Sequence, residues 1–185
     1  MDTVKELIAL LPKEELPQDQ ARDIVKRTNP DFYRTPYQLA CQLGLYYETN
    51  GRYFPKFSST PSDEDLLRYL TNWIIHYSVP NPYTNGFDQL QPFSVHSAIC
   101  ARLLEAKSSL PWEEVSNNIF AQRIGNDDIL RNSINTYSPA VQIKAGTVSL
   151  RDGVGYDDLA PYVRVDITND RDDKEYFFDL FASGD

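Results

Sequence analysis

The chain has 185 residues, of which 41% are hydrophobic and 24% are charged, so it can bury a core and does not have the composition of a disordered protein. No apolar run approaches the roughly 20 residues of a membrane-spanning helix, and the first residues lack a signal-peptide pattern. The net charge of −9 argues against a simple nucleic-acid-binding protein. That acidity is uneven, because residues 1–60 are neutral whereas residues 152–185 contain three basic and ten acidic residues.

Two helices are predicted at the start of the chain. Thr3 and Glu6 have the spacing of a capping box, and Pro12 ends the helix that they begin. A second helix is predicted over about 18–26 and ends before Asn29-Pro30, since the residue before proline avoids the α region.

A third helix and a hairpin follow. Thr35-Pro36 is a good helix start, and Gly44 suits the left-handed residue that ends a helix, so we predict a helix over 36–43. Asn50-Gly51 then predicts a type I′ turn between two short strands. Three helices and a hairpin in this order are typical of a winged helix-turn-helix.

The middle of the chain is predicted to be a helical connector. Ser62 caps a long apolar helix that reaches about Tyr77. A turn-rich loop follows, and Ser94 caps the next helix. We therefore predict one winged-helix-like unit at 1–60 and a connector at 61–107.

The last part, 108–185, predicts a second helix-helix-hairpin unit. One short helix follows Pro111, another is capped by Asn126, and two strands meet at Ala145-Gly146. The halves are similar in pattern, without a repeat at the level of residues. Runs at 161–168 and 175–181 predict an acidic C-terminal hairpin. The fold class is α+β, mostly helical, with winged helix-turn-helix-like units and short β-hairpins.

The two cysteines, Cys41 and Cys100, lie in helical patterns with no histidine or second cysteine at ligand spacing. They are predicted to be buried, unbridged thiols, which favours a cytoplasmic location.

The common catalytic and cofactor motifs are absent, so no catalytic residue, metal or cofactor is predicted. His76 and His96 are either a metal pair across the intervening loop or, as we favour, hydrogen-bonded or surface imidazoles. Residues 172–174, Asp-Asp-Lys, are an acid-x-Lys triple of the kind that metal-dependent nucleases use, or a solvated turn. The turn is favoured, and catalysis by this chain alone is not expected.

The groups with the most coherent pattern are those that suit DNA. A recognition helix presents polar side chains to the major groove while its flanks and wing contact phosphates, and glutamine pairs well with adenine. The acidic segment 152–185 is expected on the opposite side. An ordinary solvated surface is the alternative. The predicted DNA-binding residues are Lys26, Arg27, Arg34, Tyr37, Gln38, Gln42, Arg52 and Lys56.

Five segments between residues 18 and 120 carry a pattern of helix, wing and aromatic helix: Gly44-Leu45-Tyr46-Tyr47, Asn50-Gly51-Arg52-Tyr53, Leu67…Leu70…Trp73, Pro80-Asn81-Pro82 and Leu110-Pro111-Trp112-Glu113-Glu114-Val115. In this order they resemble the specificity half of the AlwI-like restriction endonucleases and type IIS nicking enzymes. The resemblance implies a DNA-recognition module of a restriction or phage-defence endonuclease, with double-stranded DNA and a catalytic subunit as partners. The nuclease domain of that family has no counterpart here, and Phe54-Pro55-Lys56-Phe57 replaces its threonine-glycine step.

A protein of a different class remains open. The net charge, the twelve tyrosines and the acidic C-terminal segment also suit a non-catalytic protein-interaction or scaffold domain. Neither hypothesis involves a membrane.

Overall fold

The computed structural model describes residues 1–87, 89–120, 128–165, 167 and 170–182. It contains two compact units, one made of Met1–Trp73 with Asp172–Asp185 and the other of Ile74–Arg171. Helices and small antiparallel sheets make up both, which confirms the α+β class. The division falls inside the predicted connector, and the acidic C-terminal residues belong to the first unit.

The first unit has three helices around a small sheet, followed by a longer helix that continues into the second unit. Its three strands are antiparallel, in the order β1-β3-β2. Its elements are α1 (Asp2–Leu10), β1 (Leu16–Pro17), α2 (Gln18–Thr28), α3 (Thr35–Gln42), β2 (Tyr46–Thr49), β3 (Arg52–Pro55), α4 (Asp63–His76) and α8 (Lys174–Asp179).

The predicted helix over 36–43 and the hairpin after it are confirmed. Gly44 has a φ of 66° and ends the helix, and Asn50 and Gly51 have φ values of 49° and 73° at the hairpin turn. The helix starts one residue earlier than expected, because Arg34 is its N-cap. The capping box predicted for α1 is wrong, since that helix begins at Asp2 and no side chain caps it.

An aromatic column forms the centre of the first unit. The rings of Tyr37 and Tyr46 are 4.5 Å apart, and those of Tyr46 and Tyr53 are 5.1 Å apart. The Tyr46 hydroxyl donates to the Tyr37 carbonyl oxygen at 2.9 Å. The prediction that Tyr37 faces solvent is therefore wrong, because this column and the edge of Phe32 bury it.

The predicted C-terminal hairpin is also wrong. Residues 174–179 form α8, whose first turn is capped by Asp173, because its carboxylate accepts from the Tyr176 N–H at 2.8 Å. Phe177 and Phe181 are four residues apart and both are buried, as one face of a helical segment requires. Residues 166, 168 and 169 of the proposed hairpin lie outside the described residues.

The second unit begins inside α4 and contains two small sheets, one of the strands β4 and β5 and one with the order β6-β8-β7. The predicted cap Asn126 lies outside the described residues. The further elements of this unit are β4 (Ser78–Val79), β5 (Phe93–Ser94), α5 (Val95–Ala106), β6 (Leu110–Pro111), α6 (Trp112–Phe120), α7 (Asp128–Tyr137), β7 (Val141–Lys144), β8 (Thr147–Leu150) and a 3₁₀ helix (Tyr156–Tyr162).

The two units repeat one topology. In each, a helix, a two-residue strand, two helices and a hairpin follow one another, and the short strand pairs with the second hairpin strand. The N–H that follows the short strand bonds to the glycine carbonyl of the hairpin turn in both, at 2.9 Å for Gln18 to Gly51 and 2.8 Å for Trp112 to Gly146. Ala145 and Gly146 have φ values of 48° and 73°, close to those of the first turn. The Leu-Pro pair that forms β1 and β6 is the sequence sign of this repeat.

Cys41 and Cys100 are both buried and are not joined by a disulfide bond, as predicted. Within the described ranges, no helix has the length and apolar character needed to cross a membrane.

Candidate nucleic-acid interface

The outer face of α3 is polar. Tyr37, Ala40 and Cys41 bury one side of this helix, which leaves Gln38 exposed and Gln42 half-buried on the other. Arg34, the N-cap residue, is also exposed. Three of the predicted DNA-contacting residues thus belong to the same helix and its cap.

Three further predicted residues are exposed cations of the first unit. Lys26 lies at the end of α2 with its Nζ 4.5 Å from the centre of the Tyr33 ring. Arg27 pairs with Asp23 at 3.9 Å, and Arg52 of the hairpin pairs with Glu15 at 3.5 Å. Exposed ion pairs of this kind contribute little to stability, so these guanidinium groups can exchange their carboxylate for a phosphate at small cost.

Lys56 has a different environment. Its Nζ lies 5.1 Å from the centre of the Phe178 ring and 5.6 Å from that of Tyr69. Burial lowers the pKa of Lys56, and the nearby Asp179 carboxylate opposes that change. The ring of Phe178 also packs on Tyr47 of β2, at 4.7 Å. The expectation that the acidic segment lies opposite the basic residues is therefore wrong for residues 172–182, because α8 packs on the hairpin and on Lys56.

A carboxylate that sequence patterns did not single out joins three elements of the first unit. Glu48 of β2 accepts from Arg22 Nη2 at 2.5 Å, from Gln18 Nε2 at 3.1 Å and from the Tyr37 hydroxyl at 2.7 Å. Its side chain is only 10% exposed. The bond to Glu48 raises the pKa of Arg22, while burial and then Glu48 raise that of Tyr37. A charged residue directly after the two tyrosines of this strand was the one available sign in the sequence.

A polar cavity of about 380 Å³ lies beside the hairpin turn. It is lined by Gln18, Glu48, Thr49 and Asn50 together with residues 172–175. Lys174 donates to the Glu48 carbonyl oxygen at 3.2 Å. The acidic residues at the start of α8 are thus neighbours of the hairpin tip.

The second unit has uncharged residues in place of Lys26 and Arg52, and in place of Lys56 it has an arginine that bonds to backbone carbonyls. Lys26 lies nine residues after the Pro of β1, and the residue nine after the Pro of β6 is the buried Phe120. Arg52 corresponds to Thr147. Lys56 corresponds to Arg151, whose Nε donates to the Ser138 carbonyl oxygen at 2.6 Å near the end of α7.

A buried polar cluster in the second unit accounts for one histidine. His96 Nε2 lies 2.9 Å from Ser138 Oγ, which also accepts from the Val141 N–H at 3.0 Å. Burial, and then the charge of His76, lower the pKa of His96 to about 4, and burial raises that of Cys100 to about 12. The prediction of no histidine at ligand spacing from a cysteine is wrong, because His96 Nδ1 is 3.8 Å from Cys100 Sγ, one helical turn away. These pKa changes favour the neutral forms of His96 and Cys100 at pH 7, which indicates a structural role for the cluster.

The acid-x-Lys triple has structural contacts. Asp173 caps α8 and Lys174 bonds to β2, as described above. Among the described residues, no group of three or more His, Cys, Asp or Glu side chains could hold a metal ion.

Comparison with known proteins adds no family: no family model, no curated protein and no solved structure shows a significant match to this chain.

Proposed function

We propose that the chain binds double-stranded DNA through its first unit, as a winged-helix module. The observation that carries the proposal is the topology: α1-β1-α2-α3-β2-β3 with the strand order β1-β3-β2. In this arrangement α3 is the recognition helix, and the hairpin of β2 and β3 is the wing.

The chemistry of the surface supports this assignment. Gln38 and Gln42 on α3 are suited to adenine edges, which present a donor and an acceptor side by side. Arg34 at the start of α3 and Arg52 on the wing are exposed cations at the two places where such modules contact phosphates. Tyr37 is part of the core and is not a contact in this proposal.

The role of the module in a larger system rests on the resemblance to restriction and nicking endonucleases. We propose that the chain supplies recognition, and that a partner subunit supplies any cleavage. The second unit repeats the topology, but it has Phe120 and Thr147 in place of Lys26 and Arg52, and its Arg151 bonds to backbone carbonyls. We therefore assign DNA to the first unit alone.

A salt titration with a random duplex tests the proposal. Each phosphate contact adds about 0.9 to the slope of log K against log salt, so Arg34→Ala and Arg52→Ala should each lower that slope by about one unit. Arg68→Ala, which removes an exposed arginine of α4 that pairs with Glu64, is the matched control and should leave the slope unchanged. Gln38→Ala should alter the preference among duplex sequences while the slope stays constant.

Absence of binding by the natural chain, even in low salt where attraction is strongest, would overturn this function. The net charge of −9 and the acidic α8 would then favour a protein-interaction domain. Equal effects of Arg52→Ala and Arg68→Ala would show that attraction is nonspecific and that the hairpin is not a wing.

A further inference from the structure

The wing of the first unit lies against carboxylates of the same chain. Between residues 172 and 179 there are four acidic residues and one lysine. Residues 172–175 line the cavity beside the hairpin tip, and Asp179 is close enough to act on Lys56. Glu175 and Asp179 also raise the pKa of Tyr47 on β2, second to burial.

We propose that α8 is an autoinhibitory element, which weakens DNA binding by holding Lys56 and by placing negative charge where the phosphate backbone would pass the wing. This inference rests on the proposed function. It depends on where these carboxylates lie, which is beside the hairpin. Their number alone would indicate only an acidic surface.

The inhibition is electrostatic, because α8 is anchored. Phe177 and Phe181 are buried in the first unit, and Asn72 Nδ2 donates to the Phe181 carbonyl oxygen at 3.1 Å. A helix held in this way stays in place when DNA binds, and its carboxylates repel the approaching phosphates. A basic partner or a cation that neutralises these carboxylates would relieve the inhibition.

Neutralising two exposed carboxylates tests the proposal in the full chain. Glu175→Gln with Asp179→Asn removes charge and leaves the helix cap Asp173 intact. Two charges lost about 10 Å from phosphates should tighten binding to a random duplex about threefold in low salt, and this gain should fade as salt shortens the screening length. Glu113→Gln with Glu114→Gln changes the net charge equally on α6 of the second unit and should give a smaller gain.

Lys56 supplies a second, independent readout. In the natural chain Lys56→Gln should barely change the salt slope, because the nearby Asp179 carboxylate already compensates the charge of the ammonium group. In the neutralised variant the same substitution should lower the slope by about one unit, since Lys56 is then available to a phosphate. Circular dichroism of each variant at the binding temperature verifies that it is folded.

Each outcome has one meaning. A gain that matches the α6 control, or an equal effect of Lys56→Gln in both backgrounds, would overturn the autoinhibition and leave the DNA-binding proposal standing. If the natural chain binds no duplex DNA even in low salt, both proposals are wrong, because there is then no binding for α8 to weaken.

Discussion

His96 shows how burial decides the protonation of a single residue. Its exposed fraction is 1%, and the hydroxyl of Ser138 satisfies its Nε2. A neutral imidazole can be held in such a site, whereas an imidazolium loses its hydration. The sequence favours a hydrogen-bonded or surface imidazole, and the structure shows the hydrogen-bonded, buried form.

This burial makes stability depend on pH. Because the folded pKa of His96 is lowered from 6.5 to about 4, the unfolded chain binds the extra proton between these values. The contribution of His96 to the free energy of unfolding is therefore fully present above about pH 6.5. It falls by up to about 3 kcal/mol as the pH is lowered towards 4. Urea unfolding of the natural chain and of His96→Gln, measured at both pH values, isolates the contribution from that of the carboxylates. An equal loss of unfolding free energy in both proteins on lowering the pH would contradict this role of His96.

At the scale of elements, Glu48 is the residue that connects α2, α3 and β2. Its carboxylate has charged and neutral donors, and its low exposure makes each bond stronger than on the surface. Removing this carboxylate leaves the buried Tyr37 hydroxyl without a bond, which costs more than the bond itself contributes.

Glu48→Ala should therefore lower the free energy of unfolding by about 2 kcal/mol, because it leaves the buried Tyr37 hydroxyl without its acceptor, whereas Arg22, whose side chain is 35% exposed, can be hydrated. Tyr37→Phe removes one bond only and should cost about 1 kcal/mol. Asp23→Ala, which breaks the exposed pair with Arg27, is the control and should cost less than about 0.5 kcal/mol. Denaturant titrations of the three variants provide the comparison, and similar losses for Glu48→Ala and Asp23→Ala would refute the role.

Local signals predicted the elements that depend on local chemistry. Asn50-Gly51 and Gly44 need left-handed backbone, and both positions have it. Long-range packing decided the rest. The sequence predicts that Tyr37 is exposed together with Gln38 and Gln42, but its ring packs on Tyr46 and is buried. The apolar run of α8 is short enough to suit a strand or a helix, and the cap by Asp173 is visible only in the structure. The role of Glu48 depends on partners from 11 to 30 residues away.

At the scale of the whole molecule, the first unit is assembled from two distant parts of the chain. Residues 1–73 provide most of it, and its core is completed by Phe177 of α8 and by Phe181, two residues after that helix. The second unit is a continuous segment, Ile74–Arg171. The acidic segment at 172–182 is thus a structural part of the first unit, and not a dispensable tail.

Phe181→Ala should therefore destabilise the first unit by about 3–5 kcal/mol, the usual cost of truncating a buried phenylalanine. Phe178→Ala, at a half-buried position of α8, should cost clearly less. Hydrogen exchange followed by mass spectrometry should show lost protection in peptides from Met1–Trp73 and unchanged protection in Ile74–Arg171. Equal loss in both sets of peptides would mean that the two units unfold together.

The discontinuity of the first unit also bears on the order in which the protein folds during synthesis. Domains usually fold in the order in which they are made, at about 5–20 residues per second. Here the roughly 100 residues of the second unit are made between the two parts of the first, which takes about 5–20 s at that rate. Limited proteolysis of ribosome-bound chains of increasing length should show that the second unit becomes resistant to cleavage at a shorter chain length than α1 of the first unit does. Throughout that interval, the apolar surface that Phe177 and Phe181 later cover is exposed on the ribosome, where a chaperone would be needed most.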